Sequence, residues 1–387
     1  MIGFLWRLIR LGLMVGGLAT AIWVVNRRLR NLAPRLIDWE QVRRRALQLA
    51  QRDYLWVDWS LDYRGLVAQA QQAVGDYVGE ELPQELAAVY VYDRAEWLDA
   101  NINNFRWLLE PLERLNQQSI QSGVFGARLT AWAGQMVLSN QMGLLLGYLA
   151  QRVLGQYDLA LLGKGPLAAG KLYFVEPNIV LAQQQLKVDG YQFRRWIALH
   201  ETTHAFEFEA HPWLREHLND LLVRYFESLS SYLTGRTHEG GNLLSRLVAG
   251  ISSSQHIIEL MMTPEQRDLF RRLQAAMCLI EGYSNHVMNQ VGQSLLPDYE
   301  RIHRRFEQRT KHRSLAEQLF AKLTGLEVKR QQYELGQRFV DEVVRQRGIN
   351  FMNQAWAAVE NLPTLDEIRA PAAWIRRIDA AEGAARP

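Results

Sequence analysis

Apolar residues recur at helical spacing along most of this chain. The runs Ile37–Arg52, Tyr63–Val78, Arg94–Gln118 and Leu129–Leu154 each predict a helix, with Gly or Pro near several ends. Alternating or continuous apolar runs short enough for strands are few. Ala88–Tyr92 is one, and Lys171–Val175, bounded by Gly170 and Pro177, is another. Tyr157 to Gly170 reads as a loop or short hairpin. No repeat, low-complexity tract or Pro/Ser-rich linker divides the chain. The pattern predicts a mainly α body with a small β-sheet, forming one domain over residues 37–380 and a frayed tail over 381–387.

The amino terminus departs from this pattern. Leu11–Val25 is fifteen residues without a charge, and extended back to Ile2 it reaches membrane-spanning length with only Arg7 and Arg10 inside it. Arginines near one end can snorkel, and Trp6 and Trp23 suit interfacial depths. Arginines, not a small-residue cleavage site, follow Val25, which disfavours a cleaved signal peptide. The expectation is a membrane anchor through residues 2–25 within an amino-terminal segment 1–36. Four arginines follow the run, against two and the amino terminus before it, so the positive-inside rule favours a cytoplasmic body. The alternative is a soluble cytoplasmic protein in which this run is a packed helix. A second apolar run, Met136–Ala150, contains Ser139, Asn140 and Gln141 and predicts a buried helix of the body.

Composition narrows the function. The chain has 387 residues, 48% of them hydrophobic and 22% charged, an ordinary globular balance. Its one cysteine, Cys278, excludes an internal disulfide and a zinc site built from several thiolates. Six arginines lie in residues 1–37, where there is no acid. Without them 38 basic residues face 41 acidic ones, so the body is slightly acidic and carries no nucleic-acid footprint. All nine histidines lie at or beyond residue 200, which places any imidazole chemistry in the second half.

His200-Glu201-Thr202-Thr203-His204 is an HExxH motif. Asp189 can cap its helix, and Gln192 can complete a capping box. Phe193, Trp196, Ile197, His200 and His204 then share one face. Histidines four apart sit one turn apart and can grip one zinc ion, while Glu201 beside them can act on a metal-bound water. A catalytic zinc needs a third protein ligand and an open position. His211 lies one residue beyond the place where a metzincin histidine would stand. The favoured third ligand is Glu281, on a helix that starts at Thr263-Pro264-Glu265-Gln266 with a cap, an early proline and a capping box. Apolar neighbours turn Glu281 inward, which is costly without a cation. Glu227, on the intervening helix, is its rival. Gly282 lowers helix propensity and implies a close approach by another helix or a substrate. Zincins with a glutamate third ligand often carry E-x-x-S-D here. This chain has E-x-x-S-N, which puts Asn285 in the place that supports a zinc-bound histidine.

With these residues in place, the chain resembles a bacterial family of zincin-like hydrolases described as zinc-dependent metalloproteases, some members of which are labelled as associated with deazaflavin-coenzyme biosynthesis. The matching runs include Arg94–Asn101, Val153–Asp158, Val175–Asn178, Trp196–His204, Pro212–Leu214, Leu279–Tyr283, Gln332–Gly336 and Leu362–Thr364. The resemblance spans residues 37–378 and leaves the arginine-rich amino terminus outside. It implies a zincin-like metallohydrolase fold, with an HExxH helix and a second zinc-ligand helix. It also brings Tyr333 forward as an oxyanion donor, beside Tyr283 and His286 from the second helix.

The expected chemistry is hydrolysis with one Zn²⁺ per chain held by His200, His204 and Glu281. Glu201 is the catalytic base, and a peptide is the substrate. A small non-peptide amide or ester is the alternative substrate, and a non-catalytic scaffold is the alternative role. An exposed strand edge at Leu172–Val175 would favour a peptidase, because extended peptides add to such edges.

Overall fold

The computed structural model describes residues 35–50, 59–82, 88–121, 127–158, 170–235, 262–311 and 326–385. Helices α1 (Trp39–Ala50) and α2 (Tyr63–Val78) precede β1 (Ala88–Tyr92). Helices α3 (Arg94–Leu108), α4 (Glu110–Gln121) and α5 (Ala127–Ala150) follow. Strands β2 (Gly155–Asp158) and β3 (Lys171–Val175) lead to α6 (Glu176–Leu186), α7 (Gly190–Glu209) and α8 (Pro212–Gly235). The rest is α9 (Pro264–Leu295), α10 (Tyr299–Lys311), α11 (Leu326–Arg347), α12 (Ile349–Met352), α13 (Leu365–Arg369) and α14 (Pro371–Ala385). The fold is mainly α with a small three-stranded sheet, as the sequence pattern predicts. The expected anchor, residues 2–25, lies outside the described residues. Among the described residues no helix is long and apolar enough to cross a membrane.

Local chemistry explains the element ends. Asp93 caps α3 in a full capping box with Glu96. The single helix predicted over Arg94–Gln118 breaks at Leu109, because Pro111 in the next turn has no N–H to continue the ladder. Pro212 does more than stop the preceding helix: it opens α8, where a first-turn proline costs no hydrogen bond. The chain stays helical to Ala385, past Gly383, where fraying was expected.

The sheet order is β1-β3-β2, with β1 parallel and β2 antiparallel to β3. The exposed edge at Leu172–Val175 that would favour a peptidase is therefore not found on this strand. Those residues are buried throughout, as a central strand covered on both faces requires, so the strand has no free edge. β2 starts just past the predicted helix end at Leu154, runs into the stretch read as a loop or short hairpin, and is an edge strand.

Two apolar cores result. The larger joins α2, α7, α9, α11 and α14 to the sheet through residues such as Phe174, Phe193, Phe339 and Trp374. The smaller joins α1, α3 and α5 through Val42, Leu98 and Leu146. α5 is a helix of the body as expected, but it is not wholly buried: Met136, Val137 and Leu144 face outward.

The long helix α9 carries the expected cap. Thr263 Oγ1 accepts from the Gln266 N–H, and the Gln266 side chain accepts from the Thr263 N–H. Its middle passes directly against α11. A Cβ on Gly282 would overlap the Gly336 backbone, and one on Gly336 would overlap the Cys278 carbonyl. The neighbour implied by Gly282 is therefore a helix, and only glycine at both places lets the two backbones touch. Gly336→Ala should destabilise the fold by about 3 kcal/mol, the upper part of the usual range for overpacking, since rigid backbone cannot yield as a side chain can. Urea unfolding measures this; an unchanged midpoint would mean the helices do not cross in contact.

Candidate metal centre

The site is built where α7 meets α9, beside the edge strand β2. Asp189 caps α7 by accepting from the Gln192 N–H at 2.8 Å. The expected capping box is only half made: Gln192 Oε1 is buried without a partner. One turn separates His200 from His204, and their rings stand 4.8 Å apart, nearly edge to face. Glu281 of α9 meets them, with Oε2 3.8 Å from His204 Nε2. One ligand atom from each of His200, His204 and Glu281 lies within 4.8 Å of the others. Donors about 2.0–2.2 Å from one tetrahedral zinc stand about 3.3–3.6 Å apart, so the three side chains would draw in by about an ångström around the ion; two imidazoles and a carboxylate are the donor set zinc takes. Glu227 and His211 are not in this group. His211 pairs with Glu80 at 3.3 Å and stacks on Trp356.

Each histidine is held through its other nitrogen. His204 Nδ1 lies 2.7 Å from Glu207 Oε2, and Glu207 is fully buried. Burial, then the charge of Glu281, pushes the Glu207 carboxyl well above the usual carboxylate range. His200 Nδ1 lies 3.3 Å from Ser284 Oγ. Ser284, one turn beyond Glu281, thus occupies the supporting position that the motif suggested for Asn285, which is half-buried. Neither Glu207 nor Ser284 was singled out from the sequence. Glu207 could have been: it follows His204 by three residues, the spacing at which helical side chains meet.

Glu201 is buried, and its Oε2 accepts from the Tyr157 backbone N–H of β2 at 3.0 Å. Gly155 makes room for it, since a Cβ there would lie 2.6 Å from Glu201 Cγ. Two of the expected oxyanion donors, Tyr283 and His286, are engaged with other partners. The Tyr283 hydroxyl donates to Asn353 Oδ1 at 2.8 Å, and its ring stands edge-on to Trp356. Burial foremost, with Glu207 and Glu80, raises its pKa well above the ordinary phenol range. His286 is engaged at both nitrogens, by the Tyr77 hydroxyl at 2.7 Å and Asp341 at 2.6 Å. It lines a cavity of about 520 Å³ that none of His200, His204 and Glu281 lines. Tyr333 belongs to α11, and its side chain lies outside the described residues.

Known proteins bear on this geometry. A family model described as zincin-like metallopeptidase matches residues 37–375. A solved structure of a proposed hydrolase with a novel fold from Chloroflexus aurantiacus is 43% identical. The match covers 89% of this chain and 99% of that one, with a TM-score of 0.66. No curated protein matches. Both findings support a hydrolase, and the family implies zinc as its metal. With its match extending over most of the body, the chain belongs to the zincin-like metallopeptidase family.

Proposed function

We propose that this protein is a zinc-dependent hydrolase that cleaves peptide bonds. The observation that carries the reading is the convergence of His200, His204 and Glu281, with buried Glu201 on the same helix. When bound, zinc supplies a water acidified toward neutrality and polarises the scissile carbonyl. His200 and His204 would hold it through Nε2, because each Nδ1 is turned to Ser284 or Glu207. Glu207 fixes the His204 tautomer and makes the ring a better donor. Glu201 takes the proton of the attacking water and passes it to the leaving amine. The Tyr157 N–H holds this carboxylate in place.

A peptide substrate is supported by β2. Val175 N–H donates to Leu154 O, and the antiparallel register makes Gln156 and Tyr173 the next hydrogen-bonded pair. The backbone groups of Gly155 and Tyr157 therefore point away from β3, on the side where Tyr157 meets Glu201. With the Tyr157 N–H held by Glu201, an extended chain that paired with the Gly155 groups would lie beside the base. Residues 2–25 are proposed as a membrane anchor outside the catalytic fold, since the family match begins at residue 37.

Metal analysis should find about one zinc per chain, and His204→Ala should reduce it to trace. Near-stoichiometric zinc in that variant would remove His204 from the site. Glu207→Gln should bind zinc about 10–100-fold more weakly in a chelator competition. Equal affinity would leave Glu207 a packing residue only.

A library of peptides, together with small acyl amides and esters, tests the reaction. Glu201→Gln should lower turnover about 10²–10⁴-fold while zinc content and melting temperature stay unchanged. Gly155→Ala should act in the same direction by displacing the Glu201 carboxylate. Turnover confined to small amides or esters would make the protein a non-peptide hydrolase. Parent-rate turnover by Glu201→Gln would remove Glu201 as the base.

A further inference from the structure

α5 has one charged residue, Arg128; from Leu129 to Ala150 there is none. α1 lies along it in parallel. Asp38 N–H donates to Ser139 Oγ at 2.8 Å near one end, and Gln151 Nε2 donates to Leu49 O at the other. Between them a Cβ on Gly143 would lie 2.7 Å from Arg45 Cβ, and one on Gly147 would lie 2.9 Å from Ala46 O. α1 therefore covers the stripe Ser139, Gly143 and Gly147. The same stripe continues back, at helical spacing, to Met136 and Trp132. These two side chains are 46% and 52% exposed, and Val137 and Leu144 on the adjoining face are 42% and 37% exposed.

This bare apolar face lies where the amino-terminal segment joins the body. Leu36 N–H donates to Glu113 Oε2 at 2.8 Å, and two residues on, Asp38 reaches Ser139. α1 runs parallel to α5, so the first described residues, from Arg35 to Asp38, sit at the Ser139 end of that contact, about one turn from Met136. Only residues 26–34 separate that point from the charge-free run ending at Val25. They span at most about 30 Å when extended. Arg27, Arg28 and Arg30 lie among them and would meet anionic headgroups.

We propose that the face of α5 formed by Trp132, Met136, Val137 and Leu144 rests in the interfacial layer of a lipid bilayer, beside the entry point of the Leu11–Val25 run. The proposal rests on the anchor reading of that run. An uncharged face with an outward tryptophan suits the depth where headgroups meet acyl chains.

The test uses the full chain in vesicles of phosphatidylcholine and phosphatidylglycerol, with a fluorophore on Val137→Cys or, as control, Val359→Cys. Val359 is 40% exposed, matching Val137 at 42%. The native Cys278 stays unlabelled, because it is buried and burial pushes its thiol up to about 11. The protein should float with the vesicles. Lipids bearing a nitroxide near the headgroup should quench the label at 137 and leave the label at 359 bright. Flotation with equal behaviour at both positions would overturn the docked face while keeping the anchor. Failure to float would overturn the anchor and the docked face with it. A label at 137 that reacts slowly with water-soluble maleimide, yet is not quenched by the lipid nitroxide, would mean that protein covers the face, and would also overturn the proposal.

Discussion

Two buried carboxylates face each other across one imidazole. Glu207 lies 2.7 Å from His204 Nδ1, and Glu281 stands 3.8 Å from Nε2. Taking two like charges out of water at this spacing is costly unless protons or a cation offset them. The rise in the Glu207 pKa expresses that cost as proton uptake. On the proposed function, His204 Nε2 and Glu281 would together hold a divalent ion that would offset the Glu281 charge, with the His204 Nδ1 proton shared with Glu207. The imidazole and its two carboxylates form one electrostatic unit, which a bound ion would complete, and α7 and α9 bring its members together.

α9 is the element on which that unit hangs, and its other side chains hold it still. Gly282 sets its depth against α11. Tyr283 ties it to Asn353, whose Nδ2 in turn donates to Val78 O at the end of α2. His286 ties it to Tyr77 of α2 and Asp341 of α11. With these three residues occupied in fixing the helix, Glu281 and Ser284 are presented to the histidines in a set geometry, which is what a metal site requires. Tyr283 and His286 are oxyanion candidates by their place near a ligand, though their spacing from Glu281 turns them to other faces of the helix. Their bonds show that they position the helix.

Much of this was legible beforehand, for reasons that are local. Thr263 and Gln266 announce the start of α9 because a cap and its partner are three residues apart. His200 and His204 announce a shared face by helical spacing, and Gly282 announced the contact that Gly336 completes. What was not legible depends on distant parts of the chain. Gly155–Asp158 is too short and too polar to read as a strand, and it becomes one only because β3 has a free side there. The central place of β3 depends on β1, far upstream. Ser284 supports His200, where the motif pointed to Asn285, because the approach of α9 to α7 decides which neighbour faces the ring. Pro111 is the local exception: its missing N–H alone marks the break between α3 and α4.

The most direct test of the central claim is anomalous diffraction at the zinc edge from crystals of the full chain grown with zinc. The account predicts one strong peak, bonded by His200 Nε2, His204 Nε2 and a Glu281 oxygen at about 2.0–2.2 Å, with Glu207 still on His204 Nδ1. A peak held by other residues, or no peak at this cluster in zinc-saturated crystals, would contradict it.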